Sequence, residues 1–195
     1  MTPRARIAAA SALIAAAMGA TLPQWEGWTE RAVVPVQGDV STLAAGVTSY
    51  EDGTPVKMGD TVTRERGEEL MRWHIDTKLD ALSRCVTGPV TTVEGVLLAD
   101  HAYQYGPHAT CRSSMVKHVN AGRYADACRA YLKYKFAGGY DCSTPGNKRC
   151  AGVWAPFIMG RRAMPETSTP NWTALIFLPQ ARSPAGLCRL RERST

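Results

Sequence analysis

No charged residue occurs between Ile7 and Trp25, and the run IAAASALIAAAMGATL over residues 7–22 has no polar face. A solvent-exposed structural helix is disfavoured for such a stretch, because it has no polar face to turn to water. Arg4 and Arg6 precede it, the basic flank and apolar core of an export signal. As a helix the run would be ~24 Å long against a hydrocarbon core of ~30 Å. Most of its residues are Ala, which contributes little transfer energy. Two readings follow: a cleaved signal peptide, with small residues at Ala17-Met18-Gly19, or a weak anchor that the export machinery inserts and that can leave the bilayer again.

The 195-residue chain is long enough for one domain with a substantial core. The sequence divides into an export signal or anchor (1–23), a domain over 24–165, and a Ser/Thr/Pro/Arg-rich appendage over 166–195 whose apolar run is Ala174 to Leu178. The net charge of +6 suits an acidic polymer or an anionic membrane. Nucleic acid is not the expected partner, because the basic residues are scattered without an aromatic-basic stripe or zinc-finger spacing.

The six cysteines contain no CxxC and no Cys-His pairing at metal spacing, so disulfides and an extracytoplasmic location are expected, with no metal and no cofactor. Cys142 and Cys150 flank the turn-rich STPGNKR and are the expected pair. The other four, Cys85, Cys111, Cys128 and Cys188, leave three connectivities open. Cys128, on an apolar helical face, reads equally well as a small buried side chain.

From Arg31 to Lys57, Val/Thr runs alternate with QGD and EDG turns, which predicts a small antiparallel sheet of two or three strands. Helices are predicted after it: Thr63 to about Arg84, then from Thr91 or Thr92 to Tyr105 with Val93, Val96, Leu97 and Ala99 inward. A short helix over Ser113 to Asn120 and one from Tyr124 to about Lys135, ending at Gly138-Gly139, complete the expected set before a further short helix in GVWAPFIMGRRAMPE. The expected fold is α+β: a small sheet lobe joined to a larger helical lobe, with a groove between them that suits an extended polymer.

In this order the residues resemble the phage lysozyme family, glycoside hydrolase family 24. The likeness lies in Glu26-Gly27, then GDVST with Asp39 and Thr42, then KMGDTVT before the first long helix, and runs to about Glu166. The stretch from YGPHATC through VNAG to KFAGGYDC, and VW followed by Arg161-Arg162, resemble the family's later segments. The Ala-rich leader ahead of Glu26 resembles that of signal-anchor-release endolysins. Three positions depart from the pattern. Val36 stands where the family carries its Asp, about six residues before the Thr. Ala44-Ala45-Gly46 replaces a Gly-aromatic-Gly, and Gln104 replaces an Asn.

The resemblance implies a lysozyme-like monomer that hydrolyses the β-1,4 bond between N-acetylmuramic acid and N-acetylglucosamine in bacterial peptidoglycan. It would be exported, held at the inner membrane through residues 7–22, and active in the periplasm. Cleaving a glycosidic bond needs an acid to protonate the departing oxygen and a second group to guide water or stabilise an oxocarbenium-like state. Glu26, flanked by Trp25 and Trp28, is the expected acid, its proton retained if a Trp desolvates it. Asp39 would orient the attacking water or is simply a turn former. Thr42 would hold that water or is a β-branched strand residue. His101, Tyr103 and Gln104 are the expected groove residues, although surface or core positions suit the histidine as well. Two rivals keep the groove and differ in chemistry: a membrane-tethered peptidoglycan-binding protein without catalysis, and a lytic transglycosylase that also relies on one Glu.

Overall fold

The structure is a computed structural model describing residues 5–35, 38–131, 133–137 and 140–141. The expectations for Val36, Cys142, Cys150, the helix near Arg161 and residues 166–195 lie outside the described residues.

The uncharged run forms α1 (Ile7–Trp25). Ile7, Ala10, Ile14, Ala17, Met18 and Leu22 recur at helical spacing and are buried, while Leu13 is exposed. The face is chosen by shape, since Ala on either side is equally apolar. Its seat lies on α2 (Arg64–Cys85) and α3 (Thr92–Tyr105), the two elements with which it makes its main contacts. The chain is also stapled ahead of α1, where Ala5 and Val90 exchange backbone hydrogen bonds of 2.9 and 2.8 Å. A helix long and apolar enough to cross a membrane is therefore folded onto the body of the protein.

The fit of α1 depends on Gly95. A Cβ there would lie 2.4 Å from Ile14 Cδ1, and Ile14 is fully buried. Gly95→Ala is expected to lower stability by about 1–3 kcal/mol from overpacking, after exceeding the ~1 kcal/mol that Ala gains over Gly in a helix. Urea unfolding measures it. Adding Ile14→Val to the variant should recover part of the loss; additive losses would contradict this seat.

Two strands follow α1. β1 (Thr29–Val33) pairs antiparallel with β2 (Thr42–Ala44), Thr29 opposite Ala44 and Val33 opposite Thr42, with a register irregularity between. Single bridges, Arg31 to Thr61 and Ser49 to Pro55, extend this small lobe. Ala32, Leu43 and Val56 form its own core. It packs on the helical lobe through Ala44, Ala45 and Val47, which join the main core.

Thr63 caps α2, its hydroxyl accepting from Arg66 N, and Thr91 with Glu94 forms a reciprocal capping box on α3. The inward face of α3 differs from expectation: Gly95, Leu98, Ala99, Asp100, His101 and Ala102 are buried, while Val93, Val96 and Leu97 are only partly so. The seat for α1 and the contact with α2 rotate the helix this way. After Gly106 a short helix α4 (Pro107–Cys111) precedes α5 (Ser114–Asn120). The next helix, α6 (Tyr124–Tyr131), ends earlier than expected, and β3 (Phe136–Ala137) pairs with β4 (Tyr140–Asp141) where a longer helix was predicted. A disulfide joins Cys85 at the end of α2 to Cys111 at the end of α4, a pairing the sequence left open. Cys128 is also disulfide-bonded, so it is not a free buried thiol.

Candidate active site

Glu26 leaves the last turn of α1, its backbone N–H donating to Leu22 O at 2.9 Å. Gly27, at φ +77°, then turns the chain into the sheet, a backbone position that favours glycine. The Glu26 carboxyl lies against the loop that follows β2: a Cβ on Gly46 would be 3.6 Å from Glu26 Oε2. Gly46 itself has φ +73°, so this position combines left-handed backbone with contact to the acid.

That loop is fixed from the helical lobe. The Tyr103 hydroxyl on α3 donates to Ala45 O at 2.8 Å, and burial first, with the nearby Glu26 carboxylate adding to it, pushes the Tyr103 hydroxyl well above the usual phenol range by disfavouring the phenolate. Glu26 therefore sits where the end of α1, the Ala45-Gly46 loop and α3 converge. Solvent reaches the residue, yet the surrounding protein desolvates its carboxyl enough to raise the pKa above the ordinary glutamate value. A carboxylic acid that keeps its proton to higher pH than an ordinary glutamate is suited to donate to a leaving group.

Trp28 organises the next step of the backbone. Its ring packs against Gly67 of α2, where a Cβ would come within 2.9 Å, and the Arg64 guanidinium lies 3.9 Å from the ring centroid on top. The tryptophan thus holds the strand entry against α2, while the desolvation of Glu26 comes from the junction as a whole.

Asp39 follows Gly38 in an exposed turn and accepts a 2.8 Å hydrogen bond from Val40 N. Thr42 opens β2, partly exposed, with Oγ1 3.5 Å from Val33 O. Both lie on the sheet lobe downstream of Glu26.

The three α3 candidates separate. Tyr103 reaches the Glu26 junction. Gln104 lies beside Asp100, where Asp100 Oδ1 and Gln104 Nε2 are both buried without a hydrogen-bond partner among the described residues. His101 does not come to the surface: it is 2 % exposed, its Nδ1 is 2.8 Å from Thr110 Oγ1, and the rings of Tyr105 and Tyr134 pack on it at 4.6 and 4.4 Å. Burial lowers its pKa to about 4, so the imidazole is neutral.

Two residues near the site escape sequence reasoning. Asp100 is 1 % exposed and accepts from the Tyr131 hydroxyl at 3.1 Å. Burial first, and the charge of Glu26 further, raise its pKa to about 7, while the hydrogen bond from the Tyr131 hydroxyl opposes the rise. Lys78 on α2 places Nζ 3.3 Å from His74 Nδ1 and 4.9 Å from the Tyr103 ring centroid. The signal for Asp100 was an acid amid apolar neighbours on α3; Lys78 has none in a charged helix such as α2.

A phage lysozyme family model matches residues 23–151. The endolysin of Salmonella phage P22 is 29 % identical over 99 residues, 51 % of this chain and 68 % of that protein. The endolysin of Bacillus phage B103 is 26 % identical over 87 residues, covering 45 % of this chain and 33 % of that protein. Among solved structures, an endolysin from Escherichia coli O157:H7 phage FAHEc1 matches with a TM-score of 0.59 at 21 % identity, covering 71 % of this chain and 86 % of that one. The muramidase domain of SpmX from Asticaccaulis excentricus gives 0.56 at 21 %, covering 73 % and 95 %. A variant of P22 lysozyme gives 0.54 at 25 %, covering 69 % and 91 %.

Proposed function

Because this chain belongs to the phage lysozyme family of glycoside hydrolases, we propose that it is an endolysin whose Glu26 protonates the glycosidic oxygen between N-acetylmuramic acid and N-acetylglucosamine in host peptidoglycan. The observation that carries this is the seat of Glu26: a desolvated carboxyl held against Gly46 at the meeting point of α1, the sheet and α3. A proton retained there can move to the leaving oxygen as the C–O bond breaks, while a water adds to the sugar carbon. Thr42 and Asp39 are the groups on the sheet lobe that would hold and activate that water. Tyr103 fixes the loop beneath the acid, and Gln104 stands one residue further along the same helix. Adding the purified protein to a suspension of bacterial cell walls should clear it with release of reducing sugar ends. Walls that stay turbid and release none contradict the reading.

Regulation follows from α1. While residues 7–22 lie in the inner membrane, Ile7, Ile14, Met18 and Leu22 face lipid and cannot fill their seat on α2 and α3. Glu26 is then held a few residues from the bilayer, and the enzyme is latent as an exported monomer. Release lets α1 fold onto the body in the periplasm. Lengthening the segment with Leu is expected to leave the protein in the membrane fraction with lysis abolished; normal lysis by the lengthened form would overturn the latency.

A further inference from the structure

Among the described residues several cations are matched, Arg64 with Glu68, Arg66 with Glu51 and Glu69, Arg84 with Asp80, and Lys135 with Asp141, and others such as Arg72 and Lys117 are exposed to water. Lys78 is different. It is partly buried, no carboxylate among the described residues pairs with it, and it rests between the His74 imidazole and the Tyr103 ring.

The neighbours fix its role. His74 Nε2 lies 2.8 Å from Ser49 O, and a carbonyl only accepts, so Nε2 carries the proton. Nδ1 then presents its lone pair to Lys78 Nζ at 3.3 Å. Burial lowers the His74 pKa, which keeps the ring neutral and able to accept. On the other side the ammonium rests by the Tyr103 ring, whose hydroxyl fixes the loop that touches Glu26. An ammonium has three donors, and these contacts do not neutralise it. A partly buried charge without a counter-charge is costly, and here it stands one side chain away from the acid's loop.

We propose that Lys78 is a specificity-determining residue that binds a carboxylate on the peptide arm of the glycan strand. The proposal rests on the muramidase reading above. The repeating sugars are neutral, and in mature peptidoglycan the fixed negative charges near the cleaved bond are the carboxylates of the peptide carried by the muramic acid. A point charge beside Tyr103 would tell a strand whose peptide carboxylates are charged from one in which they are neutral, and the +6 net charge of the chain favours approach to such a polymer.

The test compares two probes: native peptide-bearing glycan strands, and the same strands with their peptide carboxylates converted to neutral amides. In Lys78→Met the ratio of kcat/KM for native over amidated strands should fall about tenfold, the equivalent of ~1.4 kcal/mol, chiefly through KM, and Lys78→Arg should restore most of it. An unchanged ratio, including equal losses on both strands, overturns the proposal and leaves Lys78 as a support for Tyr103. Should Lys78→Met fail to fold, the wild-type protein still decides: added NaCl should raise KM more for native strands than for amidated ones, and an equal rise overturns the proposal. A wild-type protein that cuts neither strand fails differently, since it removes the muramidase reading itself.

Discussion

Glu26→Gln is expected to lose about 10²–10⁴ of the activity on peptidoglycan, the range that a positioned general acid contributes. The amide keeps the size and polarity of the side chain, and the residue is solvent-exposed, so unfolding should be little changed. What disappears is the proton. The pH dependence gives a second reading of the same group. Desolvation raises the Glu26 pKa, so the protonated, competent form persists to higher pH than for an ordinary glutamate and is lost as pH rises through that raised value. In the Gln variant this alkaline limb should be absent from the residual activity. Near-normal turnover by Glu26→Gln would remove Glu26 from the mechanism.

The second large effect is on stability. Asp100 has a folded pKa of about 7 against 3.8 for the free group. The folded state therefore binds the proton more tightly than the unfolded state, and the sign is the reverse of a salt-bridged carboxylate. Stability attributable to this group is greatest below about pH 4, falls as pH rises toward 7, and levels off above it. A shift of about three units corresponds to ~4 kcal/mol at most. The groups facing it are Glu26, Gln104, Tyr131 and Tyr105. Asp100→Asn cannot ionise, and it should be more stable than the wild type by a few kcal/mol at pH 8 but not at pH 4. Denaturant unfolding at both pH values measures the difference. A pH-independent difference would mean that Asp100 does not carry its proton into the fold.

The secondary structure was legible where capping chemistry announced it. Thr63 and Ser113 cap the helices that were expected to begin there, and Thr91 forms its capping box with Glu94. The sheet was legible from β-branched runs between turns, and the family from the order of Glu26-Gly27, GDVST and the later VNAG. The unread parts have specific causes. In α1 almost every position is Ala or another apolar residue, so hydropathy does not mark the inner face; the fit of Ile14 over Gly95 does, and that is a tertiary fact. The apolar steps of α6 continue past Tyr131, yet the chain leaves the helix to form β3 and β4, a choice made by pairing and not by periodicity. Cys85 and Cys111 are joined because α4, a helix of five residues, returns the chain to the end of α2.

Of the candidate residues, Glu26 lies at a junction that desolvates it. Tyr103 contributes through its hydroxyl on Ala45, whereas His101, chosen from the same helix, turns inward by one helical step to the Tyr105 and Tyr134 rings. Asp100 was passed over because a single acid on a helix is ordinarily a surface residue, and its burial depends on Tyr131, which is distant in sequence.

The central claim is that Glu26 donates a proton while water, and not a hydroxyl of the sugar itself, completes the reaction. Mass spectrometry of the fragments from a complete digest of purified peptidoglycan tests it most directly. Hydrolysis predicts N-acetylmuramic acid with a reducing end, one water heavier than the anhydro form, and only traces of such fragments from Glu26→Gln over the same time. Fragments ending in 1,6-anhydro-muramic acid would contradict the account and assign the same glutamate to a transglycosylase.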